Sequence, residues 1–160
     1  IDSFGEKYEE KWLNMMRKKL GLLGVDTKDK YLIVDLLTWM HQKKSDYTNT
    51  FCHLMNVKTD KNKNFEDSNF KNWKKRWQER LKLNKNTSEK KMKLMKSVNP
   101  LVIPRNHKVE EALEGVEKGD FKLINQLIEI LREPYSQQKN IFKYQIPSSF
   151  NENYQTFCGT

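Results

Sequence analysis

Apolar residues recur along the chain with the period of an α-helix. In the first segment an aromatic or aliphatic side chain appears every fourth residue, at Phe4, Tyr8, Trp12, Met16 and Leu20. Because a helix has 3.6 residues per turn, this spacing places all five on one face. Similar stripes follow near residues 25–44, 45–58, 70–83, 86–98, 105–118 and 121–135. The pattern predicts an all-α fold, an irregular bundle of about six or seven helices.

Polar residues and glycines mark the ends of the predicted helices. Asp26 or Thr27 is expected to cap the second helix, and Asp120 the last long one. Gly21 and Gly119 suit the left-handed conformation that often ends a helix. The tryptophans of the stripes are expected to supply much of the core: Trp12, Trp39, Trp73 and Trp77.

The helical period is lost near the C-terminus. We therefore divide the chain into a helical domain over residues 1–135 and an irregular tail over residues 136–160, which carries Cys158. A length of 160 residues is enough for one domain with a real core. The chain begins at Ile1 and not at methionine, so we expect it to be part of a longer protein.

The chain is strongly basic, with a formal net charge of +9. This charge favours nucleic acid as a partner, but 25 of the 30 basic residues are lysines and 15 asparagines accompany them. Recognition of phosphate and guanine favours arginine, so a compositional bias explains the charge better than a nucleic-acid surface. No apolar run approaches the roughly 18 residues of a membrane span, and we expect no membrane partner.

Candidate chemistry is sparse. None of the three histidines, His41, His53 and His107, has a second histidine or a cysteine at the spacing of metal ligands. No glycine-rich loop that could hold phosphates is present. We therefore expect no catalytic, cofactor-binding or metal-binding residues in this chain, and we interpret the histidines as surface, packed or helix-capping residues.

The two cysteines occupy contrasting positions. Cys52 lies on an apolar helical stripe and is expected to be buried, as free cysteines usually are. Cys158 lies three places from the end of the tail, where a thiol is expected to be exposed. Exposure is one requirement for redox chemistry, but no basic neighbour lowers the pKa of this thiol. From the residues alone, its position is either incidental or functional.

Several stretches in order resemble one family. They are MMRKKLGL (15–22), DLLTWM, DYTNTFCHL, NPLVIPRNHKVEEAL, the GDF and REPY motifs, and the terminal YQTFCGT. The sequence resembles the C-terminal part of the selenoprotein O (YdiU) family over almost its whole length. NPLVIPRNH together with the terminal CGT is the most specific portion. An ending with two serines is commoner in the family, and the terminal CGT departs from it.

The resemblance implies a parent enzyme larger than this chain. Members of the family have a kinase-like fold, bind ATP with Mg²⁺ or Mn²⁺, and transfer AMP to protein hydroxyls. No stretch here matches their kinase-like part, so its catalytic residues are not carried over. Cys158 occupies the place of the family's terminal selenocysteine or cysteine, which can pair with a cysteine of the kinase-like part.

The resemblance also implies the setting of the chain. The expected partners are the upstream kinase-like domain and the protein substrates of the parent enzyme. The expected location is the bacterial cytoplasm, or the mitochondrion for a eukaryotic member. The alternative is a basic helical module that binds a protein or nucleic-acid partner through its lysine-rich faces.

Overall fold

The computed structural model describes residues 2–57, 63–83 and 86–148. Within these ranges the protein contains eight α-helices, a short 3₁₀ helix at Lys63–Glu66 and no strand, which confirms the all-α prediction. Seven of these α-helices have at least eight residues, and the last has four. The helices are α1 (Asp2–Lys19), α2 (Asp29–Gln42), α3 (Tyr47–Leu54), α4 (Ser68–Lys82), α5 (Ser88–Val98), α6 (Asn106–Glu117), α7 (Lys122–Arg132) and α8 (Phe142–Gln145).

The core forms around the aromatic stripe of α4. The rings of Trp73 and Trp77 stack with centroids 5.9 Å apart. Their indole N–H groups donate hydrogen bonds to the carbonyl oxygens of Leu32 in α2 (2.8 Å) and Leu20 after α1 (2.9 Å). Each tryptophan thus buries a large apolar surface while its one polar group is satisfied. The predicted burial of Trp39, Trp73 and Trp77 is confirmed; Trp12 is half-buried against the same core.

A buried carboxylate joins three helices beside this core. Asp29 accepts hydrogen bonds from Arg17 Nε of α1 at 2.8 Å and from Arg80 Nε of α4 at 2.7 Å. Burial opposes ionisation of Asp29, but the hydrogen bonds from Arg80, Arg17 and the Asp26 N–H outweigh it and lower its pKa. The carboxylate therefore stays charged and fixes the relative positions of α1, α2 and α4.

The extended segment between α5 and α6 packs against the core, and its Asn99, Leu101 and Val102 are buried. The side-chain amide of Asn99 donates to the carbonyl oxygens of Lys19 (2.8 Å) and Met95 (2.9 Å) and so binds the ends of α1 and α5. The Leu101 N–H donates to the carbonyl of Pro134 at 2.7 Å. This conformation agrees with the two prolines of the segment, because proline and the residue before it disfavour a helix.

The helix ends agree with the sequence in part. Gly21 and Gly119 have φ values of +67° and +80°, as expected for residues that stop α1 and α6. The expected cap of α2 is wrong: the helix starts at Asp29 after Lys28, without a side-chain cap. Asp26 instead accepts from the Lys28 N–H at 2.8 Å in the preceding turn. Phe121 directly precedes the first residue of α7, but the Asp120 side chain accepts from the Lys122 N–H at 2.9 Å, so its expected bond to the start of this helix is present.

Two predicted stripes extend beyond the core that covers them. Phe4 and Tyr8 are exposed at the start of α1, although Met16 and Leu20 on the same stripe are fully buried. Phe121 and Ile128, on the predicted stripe near residues 121–135, are exposed as well. The helical period fixes the angle at which a residue projects, whereas burial also requires a neighbouring element at that height along the axis.

Residues 136–148 include a short helix that the sequence period does not predict. Helix α8 has four residues, and its Tyr144 and Gln145 are buried. A single helical turn is too short to show a period, so it escapes a search for stripes. The beginning of the segment that we assigned to the tail therefore packs on the helical core.

Candidate functional site

The candidate site is a cleft beside the NPLVIPRNH segment. It has a volume of about 1140 Å³ and opens to solvent. The end of α2, the start of α3, the residues that enter α6 and the last described residues after α8 form its walls. The lining includes Met40, His41, Asp46, Ile103, Arg105 and His107.

An ion pair at the base of the cleft connects two of these walls. Arg105 donates from Nη1 to Asp46 Oδ2 at 2.8 Å and from Nη2 to Asp46 Oδ1 at 3.0 Å. Asp46 is at the same time the N-cap of α3, because its carboxylate accepts from the Asn49 N–H at 2.8 Å. Bidentate pairs between arginine and carboxylate are among the stronger polar contacts in proteins. The pair therefore fixes the entry to α6 against the start of α3.

Two buried amides attach α8 to this ion pair. Asn49 Oδ1 lies 3.4 Å from Arg105 Nη2, and Asn49 Nδ2 donates to the carbonyl of Gln145 at 2.9 Å. The Gln145 side chain in turn donates to the carbonyl of Leu101 at 2.8 Å. The network thus links α3, the NPLVIPRNH segment and α8, which lies in the segment assigned to the tail.

The three histidines have different surroundings. His107 lies in the first turn of α6, where partial burial and the nearby Lys108 and Arg105 lower its pKa. His53 stacks on Phe65 with ring centroids 3.8 Å apart, so it is a packed residue. His41 is exposed on the wall of the cleft. His41 is thus a surface residue and His53 a packed one, two alternatives that the sequence left open.

The cleft offers a surface for binding more readily than a set of reacting groups. Its carboxylate, Asp46, is occupied by Arg105 and by the start of α3, so it is poorly placed to accept a proton from a substrate. Among the residues that the structure describes, no group of three or more His, Cys, Asp or Glu side chains is placed to hold a metal ion.

Cys52 is enclosed where α3 packs against the core. It is 0% exposed, and its Sγ lies 3.8 Å from the carbonyl oxygen of Pro100. Burial, with a further contribution from Asp46, raises the pKa of the thiol to about 11. Cys52 is therefore a packed, protonated thiol at neutral pH, and its predicted burial is confirmed.

Cys158, the predicted redox residue, lies outside the described residues, as does all of the chain after residue 148. The structure describes residues 136–148 of the segment assigned to the tail. Pro147 and Ser148 line the cleft that Arg105 and His107 also line.

Sequence reasoning missed the pairing of Arg105 with Asp46, whose positions are 59 residues apart. One signal was present in the composition. The chain has only five arginines among 30 basic residues, and arginine is the residue suited to bidentate pairing with a carboxylate. In so lysine-rich a chain, each arginine is a candidate for a specific structural contact.

No α-helix in the described part of the chain combines the length and apolar character that crossing a bilayer requires.

Comparison with known proteins gives a consistent set of relatives. A family model described as "Protein adenylyltransferase SelO" matches residues 1–132. The chain is 52% identical over 161 residues to a protein of Pelagibacter ubique named "Protein nucleotidyltransferase YdiU". Proteins of the same name from Nitrosococcus oceani and Clostridium perfringens are 42% and 43% identical. Each alignment covers 100% of this chain and 33% of the relative, so the chain spans about a third of their length.

Proposed function

The chain belongs to the SelO family of protein adenylyltransferases, and on this premise we propose that it is the C-terminal helical domain of an enzyme that transfers AMP from ATP to protein hydroxyls. The observation that carries the proposal is the family match over residues 1–132, together with 52% identity to a relative over the whole chain. The named relatives are bacterial, which favours a cytoplasmic enzyme of the bacterial type.

Within the parent enzyme we assign the domain a supporting role. ATP with Mg²⁺ or Mn²⁺ requires a cradle for phosphates and carboxylates that converge on the metal. The described residues do not fit these groups, because they contain no such carboxylate cluster and the one carboxylate of the cleft is bound to Arg105. We therefore propose that the nucleotide site lies in the remaining two-thirds of the parent chain and that this domain supports it.

Cys158 is the proposed regulatory residue of the domain. In the proposed switch its thiol and a cysteine thiol of the kinase-like part form a disulfide. Two electrons pass to an oxidant such as a peroxide, and both sulfur-bound protons are released. A tail is suited to this because the entropic cost of closing a loop grows only slowly with its length. Cys52 is unsuited to it, because it is buried and protonated.

The test uses the full-length parent enzyme, ATP with Mg²⁺ or Mn²⁺, and a labelled AMP group. We expect transfer of label to protein, and a rate that changes when the wild-type enzyme is oxidised and recovers on reduction. The Cys158→Ser variant should transfer label at a rate that oxidation does not change.

The matched control is Cys52→Ala, which removes the other cysteine of the domain and leaves Cys158 in place. Its response to oxidation should follow that of the wild type. The proposed switch is excluded if wild type and Cys158→Ser respond alike, and the proposed activity is excluded if the full-length enzyme transfers no label.

A further inference from the structure

The first half of α1 projects from the helical core. Every side chain over residues 3–11 is exposed, whereas Met16 and Leu20 near the end of the same helix are fully buried. One contact with another element is an ion pair between Glu9 and Lys30 of α2, and both of its members lie at the surface. A helical segment of this length is marginal in water unless its apolar face packs against something.

The projecting half carries an uncovered aromatic pair. Phe4 is 75% exposed and Tyr8 is 63% exposed. Their rings lie one turn apart on the helix, with centroids 6.5 Å apart and planes inclined by 24°. They continue the apolar stripe that is buried farther along the helix, but the described residues leave this part of it largely exposed.

Charged residues surround the aromatic pair. Glu6, Glu9 and Glu10 alternate around the helix with Lys7 and Lys11, and Asp2 precedes them. Four acids against two lysines make this segment acidic within a chain of net charge +9. An apolar centre with a polar rim is the composition of a protein interface, and acidic character excludes nucleic acid as its partner.

The size of this face decides which kind of protein partner it fits. Two aromatic side chains bury roughly 150–250 Å² each, whereas a stable complex of separate proteins needs about 800 Å² on each side. A second copy of the chain would also bring acidic rims together. A partner on the same polypeptide needs less area, because the tether gives it a high effective concentration.

We propose that the Phe4–Tyr8 face of α1 packs against the part of its own polypeptide that lies outside residues 1–160. This inference rests on the proposed function, in which the chain is one domain of a larger enzyme. The chain spans 33% of its relatives' length, so about two-thirds of such a polypeptide is available to cover this face. Through this face the helical domain contacts the rest of the enzyme and supports it.

The test places a photoactivated crosslinker in the full-length enzyme. Benzoylphenylalanine replaces Tyr8, and in a matched control it replaces Tyr31 of α2, a tyrosine that is 71% exposed. After irradiation and digestion, position 8 should give crosslinked peptides that join α1 to residues of the same molecule outside this domain. Position 31 should give at least about tenfold less of this product, because exposed probes are mostly quenched by water.

Mixing isotope-labelled and unlabelled enzyme before irradiation separates crosslinks within a molecule from crosslinks between copies. Crosslinks between copies, crosslinks only to residues within this domain, or equal yields at positions 8 and 31 would each overturn the inference. The crosslinking yield does not depend on AMP transfer. A negative crosslinking result can therefore be distinguished from a failure of the proposed enzymatic activity.

A second measurement uses hydrogen exchange in the same full-length enzyme. Tyr8→Ser should speed exchange of the α1 amides over residues 3–11 by about tenfold or more, since the aromatic contact that holds the segment is lost. Tyr31→Ser should leave these amides unchanged. Equal exchange in the wild type and Tyr8→Ser would contradict the proposal.

Discussion

At the scale of single residues, Asp29 is the carboxylate on which two arginines depend. The side chains of Arg17 and Arg80 are only 11% exposed, and Asp29 is fully buried between them. Asp29→Asn removes the charge that both arginines require. We expect a loss of about 3–5 kcal/mol in the free energy of unfolding, because removing one partner of a buried pair leaves an uncompensated charge. Denaturant titration of the 160-residue chain measures it.

The control for this change is Asp35→Asn, which breaks a pair with Arg76 that lies 46% and 53% exposed at the surface. The loss in the free energy of unfolding for Asp35→Asn should stay below about 1 kcal/mol.

The pH dependence of stability provides a second test of Asp29. The pKa of Asp29 is lowered in the folded chain, so its stabilisation is present above the unfolded pKa and is lost as the pH falls through the folded value. The difference in the free energy of unfolding between wild type and Asp29→Asn should therefore decrease as the pH is lowered. A difference that does not change with pH would contradict this account.

The two cysteines should differ in reactivity. Thiolate is the reacting form, and a pKa of about 11 leaves Cys52 almost wholly protonated at neutral pH, in addition to its burial. For Cys158 the sequence predicts an exposed thiol. Timed alkylation of the native chain, read by peptide mass, should label Cys158 at least about ten times faster than Cys52.

Denaturant provides the control for the alkylation, since it exposes both thiols and should bring the two rates together. If Cys52 reacts in the native chain as fast as Cys158 or faster, the two thiols have been assigned wrongly. That result would also weaken the proposed switch, which requires Cys158 to be the accessible thiol of the domain.

At the scale of elements, the end of α1 depends on Gly21. Its φ of +67° is a left-handed conformation, and a Cβ there would lie 3.0 Å from Met95 Cγ and 3.3 Å from the carbonyl oxygen of Lys91. We expect Gly21→Ala to cost at least about 1–2 kcal/mol of stability from the backbone conformation alone. Thermal or denaturant unfolding measures the loss.

Gly5 is the matched control within the same helix. A Cβ there meets nothing within 4 Å, and the residue lies inside α1 at its exposed end. Gly5→Ala should leave stability unchanged or raise it by up to about 1 kcal/mol, because alanine favours a helix over glycine. A similar loss of stability for both variants would mean that the left-handed conformation of Gly21 is not the cause of the loss in Gly21→Ala.

The positions of the helices could largely be predicted from the sequence, whereas the contacts between helices could not. The stripe of Phe70, Trp73 and Trp77 predicts α4 and its buried face, because both follow from a local period. The exposure of Phe4 depends instead on whether another helix extends far enough to pack beside the start of α1. The pairing of Arg105 with Asp46 links positions 59 residues apart, and no local pattern contains that information.

At the scale of the whole molecule, the positive charge is less available than the composition suggests. All five arginines pair with carboxylates of the same chain. Three of them, Arg17, Arg80 and Arg105, form buried pairs that hold the fold together, although arginine is also the residue best suited to recognise phosphate and bases. This arrangement disfavours the alternative in which the chain is a module for nucleic acid, and it agrees with a structural role inside a larger enzyme.

The last prediction concerns the chain in isolation. The described residues contain no carboxylate cluster for a metal ion, and the sequence contains no phosphate-binding loop. We therefore expect the 160-residue chain to transfer no AMP to protein when incubated with labelled ATP, Mg²⁺ or Mn²⁺ and a panel of proteins. The full-length parent, tested in parallel, should transfer label, and a heat-killed sample sets the background. Transfer by the isolated chain well above that background, or tight binding of ATP to it, would place the nucleotide site within these residues and would reverse the division of roles proposed for the two parts of the enzyme.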